Sequence, residues 1–320
     1  MKPESNKIAS FLSCCGITDF TIAKVADDCS FRSYYRIFSA DKTYILMFAP
    51  LGYEDPKPFI NIANFLCQHG FLAPQIFASD LVNGFLLLQD FGDVSFNKAL
   101  QQNPGSESLL YLNACEVLLR LQQISAKPDI LHYNSACLLK EVMLFVDWYL
   151  PYKNYYPNSV EKSNYIKQWL YLFDHLNKDN QCLVLRDYHA DNLMLLHKNE
   201  VGLLDFQDAL IGSPAYDLVS LLEDVRRDVS VAVQEQMLEL FLHKSGYDAN
   251  KFMQDYQILS LQRNVKILGI FARKAIRDNK KEYLSFLPRT ERLVLNRLQQ
   301  SKFANMQWFN NFITPFIIKD

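Results

Sequence analysis

Apolar positions along the first ninety residues alternate as they do in strands, with one helical interruption. Phe31 to Phe38 and Thr43 to Ala49 are rich in aromatic and β-branched residues and flank the polar turn Ser39-Ala40-Asp41-Lys42, which predicts a hairpin. Phe59 to His69 carries apolar residues at 59, 62, 63 and 66, a helical period that stops at Gly70. Gln75 to Ser79 and Gly84 to Gln89 read as two further strands around the Asn83-Gly84 turn, giving a β-β-α-β-β order. Beyond Asp93 the period becomes that of helices, predicted at 106–125, 137–150, 159–176, 214–226, 231–244, 250–278 and 288–302. One island interrupts them: Cys182 to Arg186, Asn192 to Leu196 and Val201 to Asp205 are short apolar runs that predict a small sheet set among helices.

The fold class that follows is α+β and bilobal. Residues 1–90 form a β-rich lobe and residues 91–320 a mainly helical lobe carrying the small sheet, with the link near Gln89 to Asp93. A cleft between such lobes is the expected place for a small-molecule site.

Composition narrows the function. The chain has 320 residues, 49% of them apolar, and a formal charge of −2, so it lacks the basic footprint of a nucleic-acid-binding protein. The run from Arg273-Lys274 to Lys280-Lys281, broken by Asp278, reads as a solvated helix face. Seven cysteines without a C-x-x-C spacing argue for reduced, packed thiols and against zinc. Ile8 to Ile17 lacks the cleavage pattern of a signal peptide, and no apolar run approaches the ~18 residues that span a bilayer. A cytoplasmic protein with no membrane or nucleic-acid partner is the expectation.

Chemistry concentrates in Leu185-Arg186-Asp187-Tyr188-His189-Ala190-Asp191-Asn192 and in Leu203-Leu204-Asp205-Phe206-Gln207-Asp208. An R-D-x-x-x-x-N loop between strands, followed by D-F at the end of the next strand, is the pattern of phosphoryl transfer by kinases. Arg186, Asp187, Asn192, Asp205 and Phe206 fall on it. Such chemistry needs a carboxylate to orient the nucleophilic hydroxyl and a magnesium ion to neutralise nucleotide phosphates. Asp187 suits the first role, and the oxygens of Asn192 and Asp205 suit a metal that takes few protein ligands. Asp217, after Gly212-Ser213-Pro214, has two readings. It holds the catalytic loop through backbone N–H bonds, or it is a helix-start charge. His189 and His197 lack partners at ligand spacing and read as structural.

These residues resemble the aminoglycoside phosphotransferase superfamily. Phe31-Arg32 to Tyr35-Arg36, Leu86 to Asp93, Asp187 to Asn192, Leu204 to Asp208 and Tyr216 to Ser220 are similar to its bacterial cell-wall-recycling branch, which holds the anomeric kinases of N-acetylmuramate and N-acetylglucosamine. The resemblance spans about Phe31 to Arg297. It implies ATP and Mg²⁺ as cofactors, Asp187 as catalytic base, Asn192 and Asp205 as metal ligands, and Gln89, Asp90 and Phe91 against the adenine. The chain departs from the family pattern in three places. Leu185 stands where histidine is usual, Met47 stands where the phosphate-binding lysine is expected, and no glycine occurs between Gly16 and Gly52. Ser30, Arg32, Ser33 and Arg36 lie at the matching strand turn, and Arg32 or Arg36 is a candidate replacement for the lysine because arginine grips phosphate bidentately.

An amino-sugar acceptor would meet the helical lobe. Glu141, Trp148 and Tyr149 share one predicted helix, with Glu141, Phe145 and Tyr149 on one face and Trp148 beside it, and are candidates, the indole as a platform for a sugar face, although both aromatics also fit a core. Arg263 and Asn264 are candidates for a muramic carboxylate, with ion pairing to Glu223 and Asp224 as the other reading. The competing functions are phosphorylation of an aminoglycoside, choline or homoserine-like acceptor, and a nucleotide-binding pseudokinase without turnover.

Overall fold

A computed structural model describes residues 3–27, 31–40, 42–300, 303 and 305–317. Packing divides the chain into two compact units, one of residues 1–106 with 190–209 and one of residues 107–189 with 210–320. The division by sequence at residue 90 thus differs from the packing, which also takes a segment far downstream into the first unit.

In the first unit, helix α1 (Ser5–Cys14) precedes strands β1 (Thr21–Asp27), β2 (Ser33–Ser39) and β3 (Lys42–Phe48). Helix α2 (Lys57–Gln68), strands β4 (Ile76–Asp80) and β5 (Phe85–Gln89) and helix α3 (Phe96–Gln102) follow. The antiparallel sheet has the order β1-β2-β3-β5-β4. Period-2 alternation sends Ile37, Leu46, Phe48, Phe85 and Leu87 to one face, where Ile8, Phe11 and Leu12 of α1 close a core. Sequence periodicity did not predict α1 or β1, although Ile8, Phe11 and Leu12 have the spacing of one helix face.

The island of short strands does not make one sheet. β6 (Cys182–Val184) pairs with β9 (Leu210–Gly212), whereas β7 (Leu193–Leu195) pairs with β8 (Val201–Leu203). The β7–β8 hairpin belongs to the first unit because Leu203 N–H donates to Leu72 C=O at 2.7 Å and Leu195 N–H donates to Val94 C=O at 2.8 Å. Its Gly202 leaves room for Phe91, whose ring carbons would lie 2.9 and 3.0 Å from an added Cβ.

The second unit is mainly helical: α4 (Glu107–Gln122), α5 (Ser135–Leu144), a π-helical turn (Phe145–Tyr149), α6 (Leu150–Tyr152), α7 (Ser159–Asp174), α8 (Ala215–Leu222), α9 (Val231–Ser245), α10 (Ala249–Arg277), α11 (Leu287–Leu298) and α12 (Gln307–Ile317). An Asn158–Glu161 capping box starts α7, and the Asp248 carboxylate caps Lys251 N–H at the start of α10. Helix α10 runs through the core and packs on α5, α8 and α11. Its buried face includes Gln262, Arg263, Asn264 and Lys266, polar groups that need partners at that depth.

Candidate active site

The loop after β6 begins in the second unit with two fixed points. Asp217, buried in the first turn of α8, accepts backbone N–H bonds from Leu185 at 2.6 Å and Arg186 at 2.8 Å. Burial pushes the Asp217 carboxyl up to about 7 against the pull of those two donors. Arg186 is in the left-handed region at φ 71°, a conformation that a residue with a Cβ adopts only when its surroundings enforce it. Its Nη2 donates to Glu141 Oε1 at 2.5 Å. Asp187 follows directly, half-buried, and its carbonyl accepts from His189 N–H at 3.1 Å.

Glu141 lies at the centre of a polar cluster. Oε1 also accepts from Lys266 Nζ at 3.0 Å; Oε2 accepts from Gln262 Nε2 at 2.9 Å and from the Tyr133 hydroxyl. Lys266 Nζ further donates to the Tyr216 hydroxyl at 3.1 Å. Burial pushes the Glu141 carboxyl up, but Lys266, Arg186 and the Tyr133 hydrogen bond outweigh it and hold the group down at about 2. Sequence reasoning missed Lys266 and Tyr133. For Lys266 the available signal was its place one turn after Gln262 on the helix predicted at 250–278.

The other acceptor candidates are not gathered around Glu141. The Tyr149 ring is buried, and its hydroxyl donates to Glu291 Oε1 at 2.5 Å, with the Phe316 carbonyl oxygen 3.1 Å away. The π-helical turn inserts an extra residue between α5 and α6, which shifts the helical phase predicted to keep Glu141 and Tyr149 on one face. Trp148 is half-buried on that turn. Asn264 Nδ2 donates to Glu223 Oε2 at 3.0 Å, and Arg263 Nη1 donates to the Glu223 carbonyl. Arg263 and Asn264 are therefore committed to an internal network. His189 is buried and accepts at Nε2 from Arg226 Nη1 at 3.1 Å; burial and the Arg226 charge push its pKa well below the ordinary value.

In the first unit the D-F segment makes a second constellation. Asp205 is left-handed at φ 57°. Its carboxylate accepts from Asn192 Nδ2 at 3.3 Å and Gln207 Nε2 at 2.8 Å, and Arg32 Nη2 lies 3.8 Å away. Phe206 is buried and stacks on Phe59 of α2 with ring centroids 5.0 Å apart, which anchors the residue beside Asp205. Among the described residues no three His, Cys, Asp or Glu side chains converge as a metal cage. Asn192 and Asp205 fit the sparser demand of magnesium, which takes one or two hard protein oxygens and completes its shell from phosphates and water. The Asp205 side chain is 37% exposed and so can meet a ligand.

Arg32 and Arg36 have different surroundings. The Arg36 guanidinium pairs with Asp90 Oδ2 at 2.6 Å and Asp93 Oδ2 at 2.8 Å and donates to the Gly92 carbonyl, so it clamps the segment after β5. Ser33 is buried at the start of β2, and Ser30 lies outside the described residues. Gln89 and Asp90 border a cavity of about 780 Å³ shared with Cys14, Tyr44 and Phe77, while Phe91 rests on Gly202.

A five-stranded antiparallel sheet, a helical unit, and left-handed residues that open the R-D-x-x-x-x-N and D-F motifs define a phosphotransferase of the protein-kinase-like class. The chain belongs to the phosphotransferase enzyme family, whose sequence model matches residues 21–252. It is 33% identical over 279 residues to the N-acetylmuramate/N-acetylglucosamine kinase of Pseudomonas aeruginosa, covering 82% of this chain and 80% of that protein. Among solved structures it is similar to the ADP-bound aminoglycoside phosphotransferase APH(2'')-Ib (TM-score 0.63, 14% identity, 91% of this chain and 97% of that one). It is likewise similar to a choline/ethanolamine kinase family protein from Mesorhizobium loti (TM-score 0.66, 12% identity, 93% and 95%). Among the described residues no helix is long and apolar enough to cross a membrane.

Proposed function

We propose that this phosphotransferase moves the γ-phosphoryl group of ATP to the anomeric hydroxyl of N-acetylmuramate or N-acetylglucosamine, a reaction of peptidoglycan recycling. The phosphotransfer reading is carried by one observation: Asp205, held left-handed and anchored by its Phe206 neighbour, presents its carboxylate beside Asn192 and Arg32. The amino-sugar reading is supported by relatives that carry that kinase name at 33% and 31% identity over more than four-fifths of this chain.

In this reading Asn192 and Asp205 would hold the magnesium ion, which when bound neutralises the negative charge of the nucleotide phosphates. Asp187 accepts a hydrogen bond from the acceptor hydroxyl, orients the hydroxyl oxygen toward the γ-phosphorus and takes its proton as the new P–O bond forms and the bond from the γ-phosphorus to the β–γ bridging oxygen breaks, ADP leaving with that electron pair. Arg32 lies beside Asp205, whereas Arg36 is neutralised by two carboxylates. Arg32 is accordingly the arginine that grips phosphate in place of the missing lysine, and Arg36 shapes the segment next to the adenine.

The test is turnover of ATP and Mg²⁺ with a panel of N-acetylmuramate, N-acetylglucosamine, choline and an aminoglycoside, the product being read by phosphorus NMR and by its lability in mild acid. An acid-labile phosphate on an N-acetylated amino sugar is expected. Turnover confined to choline or the aminoglycoside contradicts the acceptor assignment, and no turnover with any of them contradicts the reading altogether.

A further inference from the structure

We infer that Glu141 and Lys266 form a positioning pair for Asp187; this deepens the reading above and rests on Asp187 being the carboxylate that orients the acceptor. Left-handed backbone at a residue with a Cβ costs about 1–3 kcal/mol and persists only where its surroundings over-determine it. Arg186 is fixed at both ends: its N–H by Asp217 at 2.8 Å and its guanidinium by Glu141 at 2.5 Å. The position of Asp187, the next residue along the chain, follows from that fixation.

Glu141 has no capacity left for an acceptor. Oε1 takes Arg186 and Lys266, and Oε2 takes Gln262 and Tyr133, so both oxygens already have two donors. The carboxylate contributes through Arg186 and not through a sugar hydroxyl. Lys266 in turn keeps Glu141 from following Arg186 outward, because its ammonium is held between Glu141 at 3.0 Å and Tyr216 at 3.1 Å with the side chain 10% exposed. Glu141 comes from α5, Lys266 from α10 and Arg186 from the loop after β6, so three elements converge on one backbone turn.

The charge balance reaches Asp187 as well. Two cations, Arg186 and Lys266, face one carboxylate, Glu141, and the charge of Asp187 acts on both cations. Both cations therefore lie within electrostatic reach of Asp187.

The test compares Glu141→Gln, Lys266→Met and Lys266→Arg in the full chain, with Asp187→Asn alongside, measuring kcat, KM for sugar and ATP, nucleotide affinity and melting temperature. Glu141→Gln and Lys266→Met are expected to lower kcat about 10- to 100-fold while both KM values stay within about twofold, since a small displacement of a reacting group has that effect. Lys266→Arg keeps the charge and is expected to recover most of kcat. A rise in sugar KM with kcat retained makes Glu141 an acceptor contact and overturns the inference. So does a lower melting temperature with unaltered kinetics, which leaves the cluster a purely structural one. If Glu141→Gln does not fold, the contrast between Lys266→Met and Lys266→Arg decides. Turnover retained in Asp187→Asn would instead overturn the underlying reading, whereas turnover lost there but kept in Glu141→Gln overturns the positioning pair alone.

Discussion

Gly269 of α10 lies so close to Leu144 at the end of α5 that an added Cβ would stand 2.3 Å from the Leu144 carbonyl carbon and 2.4 Å from its oxygen. Helices approach this closely only where a side chain is missing. The approach sets the spacing at which Gln262 and Lys266 of α10 reach Glu141 of α5. Gly269→Ala forces the two helices apart, and the overpacking is expected to exceed the ~1 kcal/mol that alanine gains in helix propensity. A net loss of about 2 kcal/mol in urea unfolding is the expected outcome; unchanged or higher stability would contradict this packing.

Substitution of the two arginines before and within β2 should give opposite phenotypes. Arg32→Ala is expected to raise KM for ATP about tenfold or more, because a charge-assisted phosphate contact contributes roughly 1.5–3 kcal/mol. Arg36→Ala should lower stability, because it leaves Asp90, whose side chain is 4% exposed, without its bidentate partner. Steady-state kinetics and thermal melts on the two variants decide. A larger ATP effect from Arg36→Ala would reverse the assignment.

Acid should unlock the Glu141 cluster in a defined window. The Glu141 carboxyl is held at about 2, below its ordinary 4.5, so its contribution is complete above pH 4.5 and is lost as pH falls toward 2. The difference corresponds to about 3 kcal/mol. Wild type and Glu141→Gln should therefore differ most in stability at pH 6–7 and converge as pH drops below about 4. A gap that stays constant from pH 7 to pH 3 would show that the charge of Glu141 is not what stabilises the cluster.

How much of this was legible in the sequence depends on the range of each interaction. The five-position spacing of Asp187 and Asn192, and Asp205-Phe206 at the end of a short apolar run, are local signals that a strand-loop-strand reading can use. The outline of a β-rich first part and a helical remainder was readable from the change of hydrophobic period for the same reason. Pairing between distant residues was not. Glu141 and Lys266 stand 125 positions apart and Arg36 and Asp90 54 apart, and nothing local distinguishes their partners from solvent. The strand β9 was missed because Leu210–Gly212 has only two apolar side chains and runs directly into the turn residues Ser213-Pro214, and its pairing with β6 turned the expected single sheet into two ladders. Tyr149 looked like an acceptor group because the sequence implies a regular helix, whereas the π-helical turn at Phe145–Tyr149 changes which face it shares.

The central claim concerns Asp187, and its most direct test is the rate of ADP formation from ATP and Mg²⁺ with N-acetylmuramate, compared between wild type and Asp187→Asn at matched folding and nucleotide affinity. A loss of kcat by a factor of at least about 100, with KM for ATP unchanged, is the result the account predicts, since general-base catalysis contributes about 10²–10⁴. Equal turnover in the two proteins would contradict it.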